Sequence, residues 1–465
     1  MKKEKSKGLP LTAPYMKTFF HLLANTLVVS VTNFTIWFAI TFFVYLETRS
    51  VFATAIISGI YLVVTALTGI WFGSLVDHHK KKTMMLVSGA VSFALYLVCF
   101  AIYQTAAPGA FKDPSSITLW VFTTLLMFGV IAGNIRTIAM PTLVTILIPE
   151  DRRDRANGLV GTATGISFLV TSVISGVLVA AGGMFYALLL AIGVLALSAL
   201  HLLVVRVPEK GIAHIEDGPK KVDLRGTYKM VRKSPGLLAL ILFSTFNNFL
   251  AGVFMALMDA YGLSLVSVQV WGFLWGFLST GFIIGGLLIA KVGLGKNPVR
   301  SLLFVNVIIW TVSIIFPLQA SIILLTAGSY MYMLLMPYIE ASEQTILQKV
   351  VPYERQGRVF GFAQSVEQSA SPLTAFMIGP IAQFIFIPFM TTGAGVDLIG
   401  GWFGTGQNRG IALVFIIASA IGLAITLLAF GSKYYRQLSQ LYLSAPPAKT
   451  AEPSLDTAIK EGLVQ

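Results

Sequence analysis

The chain has 465 residues, 56% of them hydrophobic and 11% charged, with a mean hydropathy of +0.80. Soluble domains carry about 25% charged residues, so these values exclude a water-soluble globule and indicate an α-helical membrane protein. The net charge of +13 does not indicate nucleic acid, because the Lys and Arg residues fall in the segments between long apolar runs. The one cysteine, Cys99, lies inside an apolar run, which excludes an intrachain disulfide or a thiolate metal cluster.

Helices need roughly 20 apolar residues to cross a bilayer. Twelve segments meet that need, at approximately 17–46, 52–76, 83–104, 117–148, 158–181, 184–205, 236–261, 268–290, 301–318, 321–350, 359–386 and 410–430. The first follows a basic start (Lys2, Lys3, Lys5, Lys7) but is too long for a cleaved signal and carries Asn25 and Asn33, so it is read as a span. An even count puts both termini on one side. That side holds 29 of the 33 Lys and Arg residues, and the positive-inside rule makes it cytoplasmic. Arg49, Lys112 and Arg409 fall on the other side, and Arg136 lies within the fourth span.

An internal repeat divides the chain. Pro149, Asp151, Arg152, Arg155 and Gly158 recur, at an offset of 203, as Pro352, Glu354, Arg355, Arg358 and Gly361. The expected architecture is therefore all-α, with two pseudo-symmetric six-helix bundles at 1–205 and 236–431. A cytoplasmic central loop at 206–235 joins them, and a polar, mobile cytoplasmic tail occupies 432–465. Duplicated bundles suit a transporter that rocks about a central site.

The stretch from Gly69 to Lys82 joins the second and third spans. Gly69 and Gly73 share a helix face and permit close approach of another helix. Asp77 then precedes His78, His79 and the basic run Lys80, Lys81 and Lys82. Gly73, Leu75, Asp77 and the basic end resemble the G-x-L-x-D-R-x-G-R-[KR] loop of the major facilitator superfamily. His78 stands at a usually basic position, and the loop glycine is absent. Together with the repeat, the twelve spans and the central loop, the resemblance covers roughly residues 18–434. Val44 to Ser50, Ala156 to Leu159 and Pro352 to Arg358 are similar to the macrolide-efflux-like branch of bacterial drug exporters. The resemblance implies a conformational latch of Gly73, Asp77, Lys81, Arg355 and Arg358, with Asp77 against the start of the eleventh span near Gly357 and Arg358. It also implies that Arg136 assists proton coupling by its location in the fourth span. The exporter signature Gly-Pro-x-x-Gly-Gly is replaced by Thr171-Ser-Val-Ile-Ser-Gly176.

Four charged residues lie deep. At about 1.5 Å per residue, Arg136 is about 20 Å from the cytoplasmic edge, Glu340 about 18 Å, and Glu343 and Glu367 about 14 Å. Charge at such depth costs about 2.5–3.5 kcal/mol, so it should face a cavity or a partner. The repeat offset sets Arg136 beside Glu340 in depth. The three glutamates are candidates to carry a coupled proton; the alternative is an Arg136–Glu bridge holding the halves together. Asn25, Asn33, Asn247 and Asn248 are candidates for the substrate cavity, or for hydrogen bonds between helices. His21 and His201 read as interfacial, and Asp259 as solvated.

No metalloprotease motif, paired histidine ligands, nucleophile elbow or P-loop is present, which argues against an enzyme, a cofactor or direct ATP drive. The expectation is a monomeric, proton-coupled exporter of amphipathic drugs in a bacterial plasma membrane, with protons, a small molecule and lipid as its partners. The rival expectation is a carrier for a physiological lipid or metabolite.

Overall fold

The computed structural model describes residues 14–48, 51–113, 115–208 and 223–444. Lys2, Lys3, Lys5, Lys7, Arg49, Lys210, Lys220, Lys221, Lys449 and Lys460, with 209–222 of the central loop and 445–465 of the tail, lie outside them. In chain order the helices are α1 (Pro14–Thr48), α2 (Val51–His78), α3 (Lys81–Thr105), α4 (Ile117–Gly133), α5 (Ile135–Leu147), α6 (Arg153–Gly182), α7 (Met184–Val204), α8 (Leu224–Lys233) and α9 (Leu237–Leu263). They continue as α10 (Val268–Val292), α11 (Pro298–Ile315), α12 (Ile322–Val350), α13 (Gln356–Ile381), α14 (Ile387–Thr391), α15 (Ala394–Phe403), α16 (Gln407–Gly431) and α17 (Lys433–Ser444). The described residues contain no strand. Eleven helices among them are long and apolar enough to cross a membrane, and the remaining expected span, 158–181, lies within α6.

Local chemistry sets the joins. Gly183 turns α6 into α7 at φ 58 and ψ −137, a conformation that side-chain-bearing residues avoid. Asp223 caps α8 by accepting from the Gly226 amide at 2.7 Å. The repeat has a structural counterpart: Pro149 and Pro352 each precede a single 3₁₀ turn, at Glu150–Arg152 and Tyr353–Arg355, that leads into α6 and α13. Two expectations change in detail, and the segment before Arg409 contains the helix α15. The fourth span is divided at Asn134 into α4 and α5. The start of the tail is the helix α17, anchored by buried Leu438 and by Asn297 Nδ2 donating to Ser439 Oγ at 2.6 Å.

The core shows how the halves meet. At the end bearing Lys80 to Lys82 and Arg152 to Arg155, which we call the basic end, one apolar cluster draws on both halves. There Met85, Met140 and Leu143 pack with Leu347, Val359 and Phe360. At the opposite end each half keeps its own cluster, one around Phe43, Phe122 and Leu188 and the other around Phe254, Trp310 and Phe415. The halves cross where α2 packs on α13 and α6 on α10.

Candidate functional site

A cavity of about 230 Å³ opens inside the second half, between α9, α11, α12 and α13. Glu340 and Glu343 reach it from α12, Glu367 and Gln368 from α13, Ser244, Asn247 and Asn248 from α9, and Asn306 and Trp310 from α11. Glu340 and Glu343 are three apart on one helix and so share a face. Ser244 Oγ donates to Glu343 Oε2 at 3.0 Å, and the Glu343 and Glu367 carboxyls lie within hydrogen-bonding reach of each other. Glu343 Oε1 and Glu367 Oε1 are buried without a hydrogen-bond donor. Trp310 Nε1 donates to Asn247 Oδ1 at 3.0 Å, fixing that amide on the cavity wall.

Arg136 does not join this group. It is 2% exposed, and its Nη1 donates to Asn25 Oδ1 at 2.7 Å while Nη2 donates to the Met85 carbonyl at 3.1 Å. Asn25 Nδ2 in turn donates to the Ser198 carbonyl at 2.9 Å and to His201 Nδ1 at 3.2 Å. That leaves His201 Nε2 to donate to His21 Nδ1 at 3.2 Å. The chain of bonds ties α1, α3, α5 and α7 inside the first half. Asn33 likewise bonds within that half, accepting from Tyr96 Oη at 3.4 Å. Ion pairs among the described residues include Arg152–Asp151, Lys349–Glu150 and Arg358–Asp77, and Arg136 pairs with no Glu. Of the four asparagines, Asn247 and Asn248 line the cavity, whereas Asn25 and Asn33 bond between helices. Asp259 accepts from Trp271 Nε1 at 2.9 Å.

At the basic end two contacts hold the halves together. In the first, Asp77 is 4% exposed and accepts from the Gly357 amide at 2.6 Å and the Arg358 amide at 2.8 Å, at the N-terminus of α13. Free amides and a positive helix end both favour a carboxylate there. Arg358 Nε lies 3.7 Å from Asp77 Oδ2. Its Nη2 donates to His78 Nε2 at 2.8 Å, which leaves His78 Nδ1 to donate to the Ser74 carbonyl at 2.7 Å. A Cβ on Gly73 would overlap the Gly357 carbonyl oxygen. Lys81, 3% exposed, lies over the Tyr353 ring at 5.1 Å. Arg355 turns away: its Nη1 meets Met230 Sδ of α8 at 3.7 Å, and it makes no ion pair with Asp77.

The second contact was not legible in the sequence. Asp154 Oδ2 accepts from the Leu294 amide, beyond α10, at 2.9 Å. Asn157 Nδ2 donates to Thr345 Oγ1 and to Gln348 Oε1, both at 2.9 Å, and Lys349 pairs with Glu150 at 2.9 Å. Under the offset of 203, Asp154 falls on Gly357. The two crossings thus exchange roles: the carboxylate is on the loop side at Asp77 and on the helix-start side at Asp154. That correspondence was the available signal.

Comparison with known proteins places this geometry in context. Residues 22–375 match the family description Major Facilitator Superfamily. Macrolide efflux protein A of Streptococcus pyogenes is 23% identical over 374 residues, covering 76% of this chain and 87% of that protein. Macrolide efflux protein A of Enterococcus faecalis is 24% identical over 326 residues, covering 66% and 94%. Among solved structures, the human organic anion transporter MFSD10 (TETRAN) aligns with a TM-score of 0.66 at 14% identity, covering 92% of this chain and all of that one. A bacterial homologue of the iron transporter ferroportin in its outward-facing state aligns at 0.65 and 13%, covering 89% of this chain. The chain belongs to the Major Facilitator Superfamily and is a multi-pass membrane transporter, not an enzyme.

Proposed function

We propose that this transporter exports amphipathic, cationic small molecules in exchange for protons, by alternating access. The basic end is then cytoplasmic, the membrane is a bacterial plasma membrane, and the working unit is a monomer. The observation that carries the reading is the second-half cavity: three carboxyl groups line it, and among the described residues none of them has a cationic partner. Two carboxyls can hydrogen-bond only if one carries a proton. The Glu343–Glu367 pair is thus suited to hold one proton and release it when a cationic substrate arrives. Glu340 supplies further negative charge, and Asn247 and Asn248 supply polar contacts. Arg136, held by Asn25 and Met85, keeps the first half rigid while the second senses the proton. Asp77, Arg358 and Gly73 act as the latch that holds the cytoplasmic end shut, with Lys81 adding positive charge nearby. The curated relatives are named for macrolide efflux, which supports the export direction.

The test is ethidium accumulation in inverted vesicles under an imposed pH gradient, alongside a small panel of macrolides. The reading requires gradient-dependent transport that falls in Glu340→Gln, Glu343→Gln or Glu367→Gln. Full activity in all three variants, or indifference to collapse of the gradient, rejects it.

A further inference from the structure

The basic end also carries a concavity that neither the latch nor the acidic cavity uses. It encloses about 400 Å³ between α8, the turn after it, the end of α12, the start of α13 and α17. Its cations are Lys229, Lys233 and Arg355, and its apolar wall includes Met230, Val350 and Leu441. None of the three cations belongs to an ion pair among the described residues, and Arg355 has only the Met230 sulfur as a side-chain partner there. Like-charged groups gathered without counter-charge repel one another, so an anion bound among them is favoured.

The position selects the kind of anion. The concavity lies where α9 begins at Leu237 and α12 ends at Val350, the level at which spans leave the hydrocarbon. Helix α8 has the form of an interfacial helix. Its Thr227 and Val231 are buried against the protein, Leu224 and Tyr228 are exposed one turn apart, and Arg225, Lys229, Arg232 and Lys233 form its polar face. Val231 packs in the shared apolar cluster, so the helix is docked and its lysines are held at a defined place.

We propose that this concavity binds the phosphate-bearing headgroup of an anionic phospholipid. Lys229 and Lys233, four apart on α8, hold the phosphate from one side, and Arg355 presents its planar fork from the other. The exposed Leu224 and Tyr228 of α8 border the acyl chains. Arg355 is the N-cap of α13, two residues before the Gly357 amide that Asp77 accepts from, so the lipid sits next to the latch without forming part of it.

Native mass spectrometry of the full-length protein, with phosphatidylglycerol and phosphatidylcholine of equal chain length in competition, tests the proposal. The protein should retain phosphatidylglycerol preferentially. The preference should fall roughly five-fold for each cation removed by Lys229→Gln, Lys233→Gln and Arg355→Gln, as expected for about 1 kcal/mol per cation. Arg355→Lys, which keeps the charge but not the fork, should keep part of it. Lys291→Gln with Arg300→Gln, exposed cations elsewhere on the same end, should leave it unchanged. If the triple variant fails to fold, the single Lys229→Gln and Lys233→Gln changes, at exposed positions of α8, carry the test. Equal retention of the two lipids, an equal loss in the Lys291/Arg300 variant, or displacement of the lipid by inorganic phosphate or glycerol 1-phosphate alone would overturn the assignment.

Discussion

The two halves treat charge inside their spans in opposite ways. The first half surrounds Arg136 with the Asn25 side chain and the Met85 carbonyl, extends the bonds to His201 and His21, and leaves the guanidinium 2% exposed. The second half gathers Glu340, Glu343 and Glu367 around a cavity and gives them no cation among the described residues. Both halves come from one duplicated plan, so the difference is in the side chains and not in the helices. A charge hydrogen-bonded to neighbouring helices braces a bundle; carboxyls open to a cavity can exchange a proton or meet a cation. The comparison teaches that charge depth alone does not mark function. What a buried charge is bonded to decides whether it holds or works.

That contrast can be broken by experiment. The largest effect is expected for Gly73→Leu, since even a Cβ there overlaps the Gly357 carbonyl oxygen. The variant should lose the closed basic end and nearly all transport, while still inserting in the membrane. Trapping of a Ser365→Cys probe in a Cys99→Ala background, labelled from the basic side, reads this directly, because Ser365 packs against Gly69 in the closed arrangement. Asp77→Asn should come next. It removes the charge from two amide bonds of 2.6 and 2.8 Å and from the Arg358 contact. At about 1.5–3 kcal/mol for hydrogen bonds to a charged group, the closed state should lose roughly 10- to 100-fold in population. Transport should fall while substrate affinity stays near that of the parent protein; lost affinity with normal labelling would contradict the latch. Asp154→Asn removes one such bond, to the Leu294 amide, and should raise Ser365→Cys labelling by less than Asp77→Asn does.

Arg136→Met sharpens the comparison from the other side. It leaves the Asn25 amide oxygen without its donor, at about 1–3 kcal/mol for a buried unsatisfied group, and removes the second bond to the Met85 carbonyl. The expected result is a lower thermal midpoint in detergent, with the pH dependence of any remaining transport unchanged. A shifted pH profile with normal stability would make Arg136 part of the proton path.

Much of the architecture was legible in the chain. Apolar runs of spanning length located the membrane helices, and the repeat at Pro149 and Pro352 located the two turns that lead into α6 and α13. Asp77 was found because Gly73, Leu75, Asp77 and the basic run after it resemble the loop motif of the superfamily. Sequence offset gave depth but not direction about the helix axis. For that reason Arg136 and Glu340 were paired on paper, although Arg136 faces Asn25 and Met85. Likewise Asn25 and Asn247 have the same composition signal, but one closes a bond between helices and the other lines the cavity. The Asp154 contact was hidden because its acceptor bonds a backbone amide, and Leu294 carries no side-chain sign of it. The break at Asn134 falls inside a segment whose length and hydropathy fit one span, and the tail helix α17 is polar enough to pass for a loop.

The central claim is that the cavity carboxyls exchange a proton for substrate. The direct measurement is proton release on binding: purified protein in weakly buffered detergent with a pH-indicator dye, titrated with a transported cation such as ethidium. The account predicts about one proton released per substrate bound by the parent protein and none by the Glu343→Gln/Glu367→Gln double variant. Undiminished release from the double variant, or binding by the parent protein with no proton released, would contradict it.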